Sequence, residues 1–151
     1  MAIENDFETV AGQKLFVCKT LPATKSAADY AALAWVEVGS ITNVGSVKGR
    51  SYNTSTLATV GNAMNRSKKA SYSLPDASFE CAWVEDDAGQ IIIEAGANSY
   101  DTYAFKLEKE QSGALRYFTA QVKEFIENNG TSDNNVLGNF VLLRQSDTVT
   151  A

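Results

Sequence analysis

Apolar residues recur at every second position over most of the chain, and the stretches where they do so predict β-strands. "KLFVCK" (residues 14–19) reads as a first strand behind a loose N-terminal arm, residues 1–12. "TKSAADYAALA" (24–34) is alanine-rich, follows Pro22 and predicts a helical turn or a structured loop. In "WVEVGSITNV" (35–44), Val36, Val38, Thr42 and Val44 are β-branched at alternate positions and predict one strand with a bulge or bend at Gly39. "SFECAWV" (78–84) sets Phe79, Cys81 and Trp83 on one face and Ser78, Glu80 and Ala82 on the other. "YAFKL" (103–107), "LRYFTAQVKEFI" (115–126) and "NVLGNFVLLR" (135–144) read as further strands, the first two joined by a hairpin with Gly113 in its turn.

Two segments break the alternation. In "EDDAGQIIIEAGANS" (85–99) the three isoleucines suit a buried strand or a helix. The segment's start favours a helix over about 88–97, because Asp86 or Asp87 can cap it and Gln90 stands three after Asp87, as in a capping box. Residues 45–75 are Ser, Thr, Asn, Gly and cations with scattered Tyr52, Leu57, Val60 and Met64 and no sustained period, so they read as a long mobile loop. Only two prolines occur, neither in a predicted strand, and no internal repeat is present. The expected fold is mainly β: an antiparallel β-sandwich or barrel with one flanking α-helix, a long mobile loop and a C-terminal tail at 145–151. At 151 residues the chain suits a single domain, 1–151, large enough to bury a core.

Charge singles out the same loop. The formal net charge is −5, yet no carboxylate lies between Glu37 and Asp76, where Lys48, Arg50, Arg66, Lys68 and Lys69 all fall. The rest of the chain holds eight of the thirteen cations against all eighteen acids, so a +5 segment is attached to a −10 body.

Candidate chemistry is sparse. With no histidine, the commonest general base and metal ligand is missing and Ser-His-Asp or Cys-His sites are excluded. The "EDD" cluster at 85–87 reads as a solvated helix start rather than as paired catalytic carboxylates. "DNNVLG" from Asp133 opens like a calcium loop, but Leu137 and Arg144 stand where oxygen ligands belong. No phosphate-binding glycine motif occurs, so the expectation is no catalytic residue, no cofactor and no metal. The N-terminus "MAIENDFETV" lacks the features of a secretory signal, and no apolar run approaches a membrane span. Cys18 and Cys81 are therefore expected as reduced thiols on strands, and the sequons at Asn53, Asn65 and Asn129 as unmodified. Trp35, Trp83, Phe105, Phe118, Phe125 and Phe140 are at strand spacing and read as core.

The run "DYAALAWVEVGSITNVGSVKG" (29–49), a polar loop ending in "SKKASYSL", then "SFECAWVEDDAGQIIIEA", "YAFKLE" and "GALRYFTAQVKEFIE" resembles the major tail (tail tube) proteins of long, non-contractile-tailed bacteriophages, over about residues 12–144. The resemblance implies a non-enzymatic virion subunit, assembled in the host cytoplasm, that forms hexameric rings. Their inner sheets join into a barrel, and the rings stack into a tube. Implied partners are further copies of itself, a tape-measure protein that sets tail length, tail terminator and tail-tip proteins, and double-stranded DNA passing without specific binding. Neither a membrane nor an immunoglobulin-like C-terminal domain is implied.

On this resemblance the basic loop is the inter-ring contact, with Lys48, Arg50, Arg66, Lys68 and Lys69 steering and Leu57, Val60 and Met64 anchoring on the next ring. It would dock as a disordered arm and pay its ordering entropy on binding. A DNA conduit needs a wall that does not grip phosphates, and six copies of a −5 chain bring −30 to a ring. Alternation separates Phe118, Ala120, Val122 and Ile126 from Thr119, Gln121 and Lys123; the latter three, with Glu80, Glu124 and Glu127, are the lumen candidates. Alternatives are a terminator-type ring of the same fold, a monomeric β-sandwich binding module, and nucleic-acid binding by the basic interval. The acidic net charge and the position of the aromatics outside the cluster disfavour the last.

Overall fold

A computed structural model describes residues 7–151, the side chain of Asn62 excepted. Residues 1–6 of the expected N-terminal arm lie outside the described residues. In chain order the elements are β1 (Lys14–Cys18), α1 (Ala27–Ala31), β2 (Val36–Val38), β3 (Ile41–Asn43), β4 (Ser51–Thr59), β5 (Asn62–Ser73), β6 (Ala77–Ala82), α2 (Ala88–Ala97), β7 (Thr102–Glu108), β8 (Leu115–Asn128), β9 (Leu137–Arg144) and β10 (Val149–Thr150). The mainly β antiparallel expectation holds, and so does the flanking helix, whose bounds match those predicted.

The larger sheet runs β2-β1-β7-β8-β9-β6-β3, with β10 also paired to β8. Its two edge strands, β2 and β3, are separated in sequence only by Gly39 and Ser40. Two residues span less than about 10 Å, so the sheet must curl until its edges nearly meet, and it forms a barrel with a seam at this link. The single strand expected over 35–44 is therefore two short strands serving opposite edges: Val38 pairs with Leu15, Ile41 with Cys81. The bend falls at Gly39 as expected, with Ser40 in the left-handed region at φ 60°.

Inside the barrel, alternation works as predicted. Leu15, Val17, Phe79, Cys81, Phe105, Phe118, Phe140 and Leu142 form one buried cluster with Ile93 of α2. Phe79 stacks on Phe140 at 5.2 Å and Phe105 on Phe118 at 5.5 Å, an offset geometry that adds to the area effect. A smaller cluster on the outer face joins Tyr30 of α1 to Tyr117, stacked at 5.2 Å, with Trp35 beside them. Trp83 stands just beyond β6 but keeps its face, stacking on Phe125 at 4.6 Å.

In β8 the alternation holds only to Val122. Val122 pairs with Leu142 and Glu124 with Val141, so Lys123 is an extra residue, a β-bulge that flips the parity beyond it. Phe125 consequently packs on the core, and Ile126, expected inward, is 50% exposed. The expected C-terminal tail folds back instead of trailing: Ser146 covers Thr119, and β10 pairs Val149 with Tyr117.

Helix α2 seals the seam. Gly89 lets it approach β2 closely, since a Cβ there would come within 2.6 Å of Val38 Cα and strike the Glu37 carbonyl. Gln90 is 3% exposed and is no capping-box residue. Its Oε1 accepts from the Val84 amide (3.0 Å), and its Nε2 donates to the Ala82 and Gly39 carbonyls (2.8 and 3.2 Å). Asp87, at the N-cap position, accepts no bond from its own helix; its Oδ2 accepts from the Gly39 amide at 2.8 Å. Both side chains are spent on the backbone across the seam, because the β2–β3 link leaves groups there that no ladder satisfies.

Gln90→Ala strands three partly buried backbone groups, and chemical denaturation should show a loss of about 1–3 kcal/mol with a folded barrel retained. Burial pushes the Cys81 thiol up to about 11, reinforced by Asp87. It is protonated in the fold where the unfolded chain's thiol ionises, so the native state holds more protons between pH 9 and 11 and stability should fall as pH rises through that window. Denaturant midpoints of wild type and Cys81→Ala, compared at pH 8 and pH 10.5, check this: the wild type should lose more.

Candidate functional site

The basic interval is not a structureless loop. β4 and β5 form a two-stranded sheet of their own, a hairpin pairing Ser51 with Ser73 at its root and Thr59 with Asn62 at its tip. Every residue of β4 is exposed. With strands of this length the arm extends about 30 Å. Periodicity could not reveal it, because an arm with solvent on both faces has no apolar side to alternate with a polar one.

An isolated two-stranded hairpin is marginal in water, so its stability must come from cross-strand pairs. These concentrate near the root. Tyr52 and Tyr72 face each other at 5.6 Å, the Arg50 guanidinium lies 4.2 Å above Tyr72, and Lys69 Nζ is 4.6 Å from the Tyr52 ring. Asn53 donates to Ser71 at 3.1 Å, and Thr56 bonds Ser67 at 3.0 Å.

Two arginines fix the root to the barrel. Arg50 Nη2 meets Asp147 Oδ2 at 2.7 Å, a partly exposed pair. Arg144, at the end of β9, is 7% exposed; Nη1 donates to the Gly49 carbonyl at 2.9 Å and Nη2 to Thr148 Oγ1 at 3.0 Å, while Thr148 donates to the Val47 carbonyl. Burial lowers the pKa of Arg144, with Asp147 opposing, yet a guanidinium stays charged at any ordinary pH. Gly49, at φ 112°, supplies the backbone turn that presents its carbonyl there. Sequence reading missed Arg144, Asp147 and the two tyrosines. Only the near-mirror placement of "SY" at 51–52 and "YS" at 72–73 signalled the pairing.

Beyond the root the arm carries both chemistries expected of it. Leu57, Val60 and Met64 are 64%, 110% and 69% exposed, at or near the tip. Leu57 is paired with Arg66, Ser55 with Lys68 and Thr54 with Lys69. Leu57, Arg66, Lys68 and Lys69 line an open groove of ≈ 520 Å³ along the hairpin. Lys48 stands apart, exposed before the root. The structure thus brings seven of the eight predicted contact residues onto or against one arm.

The lumen candidates are not gathered in this way. Thr119 is 3% exposed, its hydroxyl bonded to Ser146 at 2.9 Å, so it faces no solvent and cannot line a bore in this chain. Glu80 is half-buried and accepts from Thr42 at 2.9 Å; Gln121 donates to the Tyr100 carbonyl at 3.0 Å. Lys123 is exposed on the bulge, Glu124 half-buried and Glu127 exposed further along β8. Among the described residues no group of three or more Cys, Asp or Glu could hold a metal ion, and no helix is long and apolar enough to cross a membrane.

A chain of the cryo-EM structure of the anti-feeding prophage (AFP) baseplate, 6-fold symmetrised, matches with a TM-score of 0.63 at 12% identity, covering 96% of this chain and 97% of that one. The chain shares its fold with that baseplate chain. Two further cryo-EM structures are of an extracellular contractile injection system, PVC, in its extended state. The sheath-tube complex has a chain matching at TM-score 0.62 and 9% identity, covering 99% of this chain and 95% of that one. The sheath/tube terminator has one at 0.61 and 8% identity, covering 96% of each. No protein-family model matches the chain, and no curated protein matches it in sequence. At these identities the likeness is one of fold, and it extends over nearly the whole chain.

Arg144→Met removes both root bonds while keeping an apolar stem of similar length. Hydrogen exchange should then quicken at the amides of residues 50–54 and 70–73, with the protection of β7 and β8 unchanged.

Proposed function

We propose that this chain is a self-assembling tail-tube subunit that forms hexameric rings and stacks them into a hollow tube. The observation carrying this reading is the arm itself. A free-standing hairpin with Leu57, Val60 and Met64 in solvent is costly for a solitary protein and useful to one that meets copies of itself. The rest of the chain carries a counterpart in composition, since the residues outside the interval between Glu37 and Asp76 sum to −10 against the +5 within it. Head-to-tail stacking needs two different faces. The likeness to chains from a baseplate, a sheath-tube complex and a sheath/tube terminator supports a structural, non-enzymatic role in a tail.

Because the arm is already folded, docking it costs less ordering entropy than a disordered loop would. Control over polymerisation then falls to ring formation: one arm binds weakly, and six presented together bind with avidity. The assignment to a long non-contractile tail rests on the run at residues 29–49, whereas two of the structural neighbours come from an extracellular contractile injection system. Double-stranded DNA, the tape-measure protein and the terminator and tip proteins follow as partners from the same reading. Gln121, Lys123, Glu124, Glu127 and Glu80 remain the proposed wall, without Thr119.

A terminator-type ring is the second reading, favoured by the match to a chain of the sheath/tube terminator structure. Negative-stain microscopy of concentrated protein separates the two. Uniform hollow filaments support the tube, single six-fold rings support the terminator, and monomers at every concentration and salt rule out both. In the Arg66→Glu/Lys68→Glu/Lys69→Glu variant the thermal midpoint should stay within a few degrees of wild type while filaments disappear.

A further inference from the structure

At the far end of β6 from the arm lies a second unusual surface. The arm enters β6 at Ala77, and the Trp83–Val84 segment leaves it after Ala82. There Val84 and Ile91 are 40% and 51% exposed, beside the stacked Trp83–Phe125 pair. Val136, 40% exposed, joins them through its carbonyl, which accepts from the Trp83 amide at 2.9 Å. Together they make an apolar patch standing in water. The shallow cleft at its centre holds only ≈ 10 Å³, so a partner would lie across it rather than enter it; it is lined by Trp83, Val84, Gln90, Ile91 and Phe125 with two carboxylates, Glu85 and Glu94, and no cation. Asp86 adds a third exposed acid beside it.

We propose that this acid-rimmed apolar cleft is the seat for the hairpin tip of a second copy of this chain. The inference rests on the tube reading and adds to it the receiving surface. Complementarity holds in two independent properties. The tip offers Leu57 and Val60 to the apolar floor of Trp83, Val84 and Ile91, and the groove behind it offers Arg66 and Lys68 to Glu85 and Glu94. Within one chain the two surfaces stay apart: the cleft is lined by no hairpin residue, and the hairpin's grooves by no residue of the barrel. Their places at opposite ends of one strand give a heterologous contact, which builds an open stack when successive copies do not rotate into a closed ring. Apolar burial supplies the holding term, and the charge pairs set register and make the contact salt-sensitive.

The test is a charge swap with a crosslink. Glu85→Lys/Glu94→Lys should leave rings intact and lower the sedimentable filament fraction by about 10-fold or more. Adding Arg66→Glu/Lys68→Glu to the same chain should restore filaments. Independently, the Val60→Cys/Ile91→Cys variant should form a ladder of intermolecular disulfides on oxidation, which neither single variant forms; the native thiols Cys18 and Cys81 are buried and should stay out of it. Normal filaments from the Glu85→Lys/Glu94→Lys variant, or no ladder from filaments of the double-cysteine variant, would overturn the seat and leave the tube reading standing. A wild-type chain that stays monomeric under every condition overturns the tube reading and the seat with it.

Discussion

The β2–β3 link is the constraint on which the rest of the structure depends. One short extended segment supplies both edges of the large sheet, so the sheet can exist only as a curled barrel, and the two residues between the edges cannot complete either ladder. Asp87 and Gln90 resolve this by bonding the Gly39 amide and carbonyl and the neighbouring ends of β6. An edge left open would be a template for unwanted pairing; here the two edges face each other and a helix covers the join. The seam also positions the functional surfaces. β3 leads from it toward the root of the arm, and α2, held against it, carries Ile91 and Glu94 outward.

Barrel and arm divide the physical work. The barrel buries its apolar residues in a dense aromatic-rich core and is self-sufficient. The arm has no core and depends on facing tyrosines, the cations above them and its two arginine anchors. Arg144 matters most in this joint because it is buried. A guanidinium withdrawn from water must find acceptors, and it finds them in the Gly49 carbonyl just before the arm begins and in the Thr148 hydroxyl, which ties the arm's direction to β9. The result is an element free to bind and yet aimed. Aiming favours repeated, identical contacts, as an ordered stack requires.

Much of this was legible in the residues. The strands β1, β6, β7, β8 and β9 and the inward faces of β6 and the first half of β8 followed from period-two alternation, and α2 from its acidic start. Where reading failed, the cause was specific. The arm has no buried face, so its strands carry no periodic signal. The bulge at Lys123 shifts parity without any local mark, which put Ile126 on the wrong side. Thr119 sits at an outward position, and only the returning C-terminal segment buries it. Gln90 fits a capping box in spacing, but the unsatisfied groups of the seam compete for its amide.

The sequence by itself determined the class of fold, the absence of histidine chemistry and the separation of a cationic segment from an acidic body, since composition and nearest-neighbour alternation depend only on the order of residues. The tertiary structure alone decided that this segment is a folded arm, that a buried arginine aims it, and that an apolar acidic cleft stands at the other end of the strand it enters. Those outcomes depend on which distant backbone groups lack partners and which side chains converge on them, and such pairings exist only once the barrel has closed.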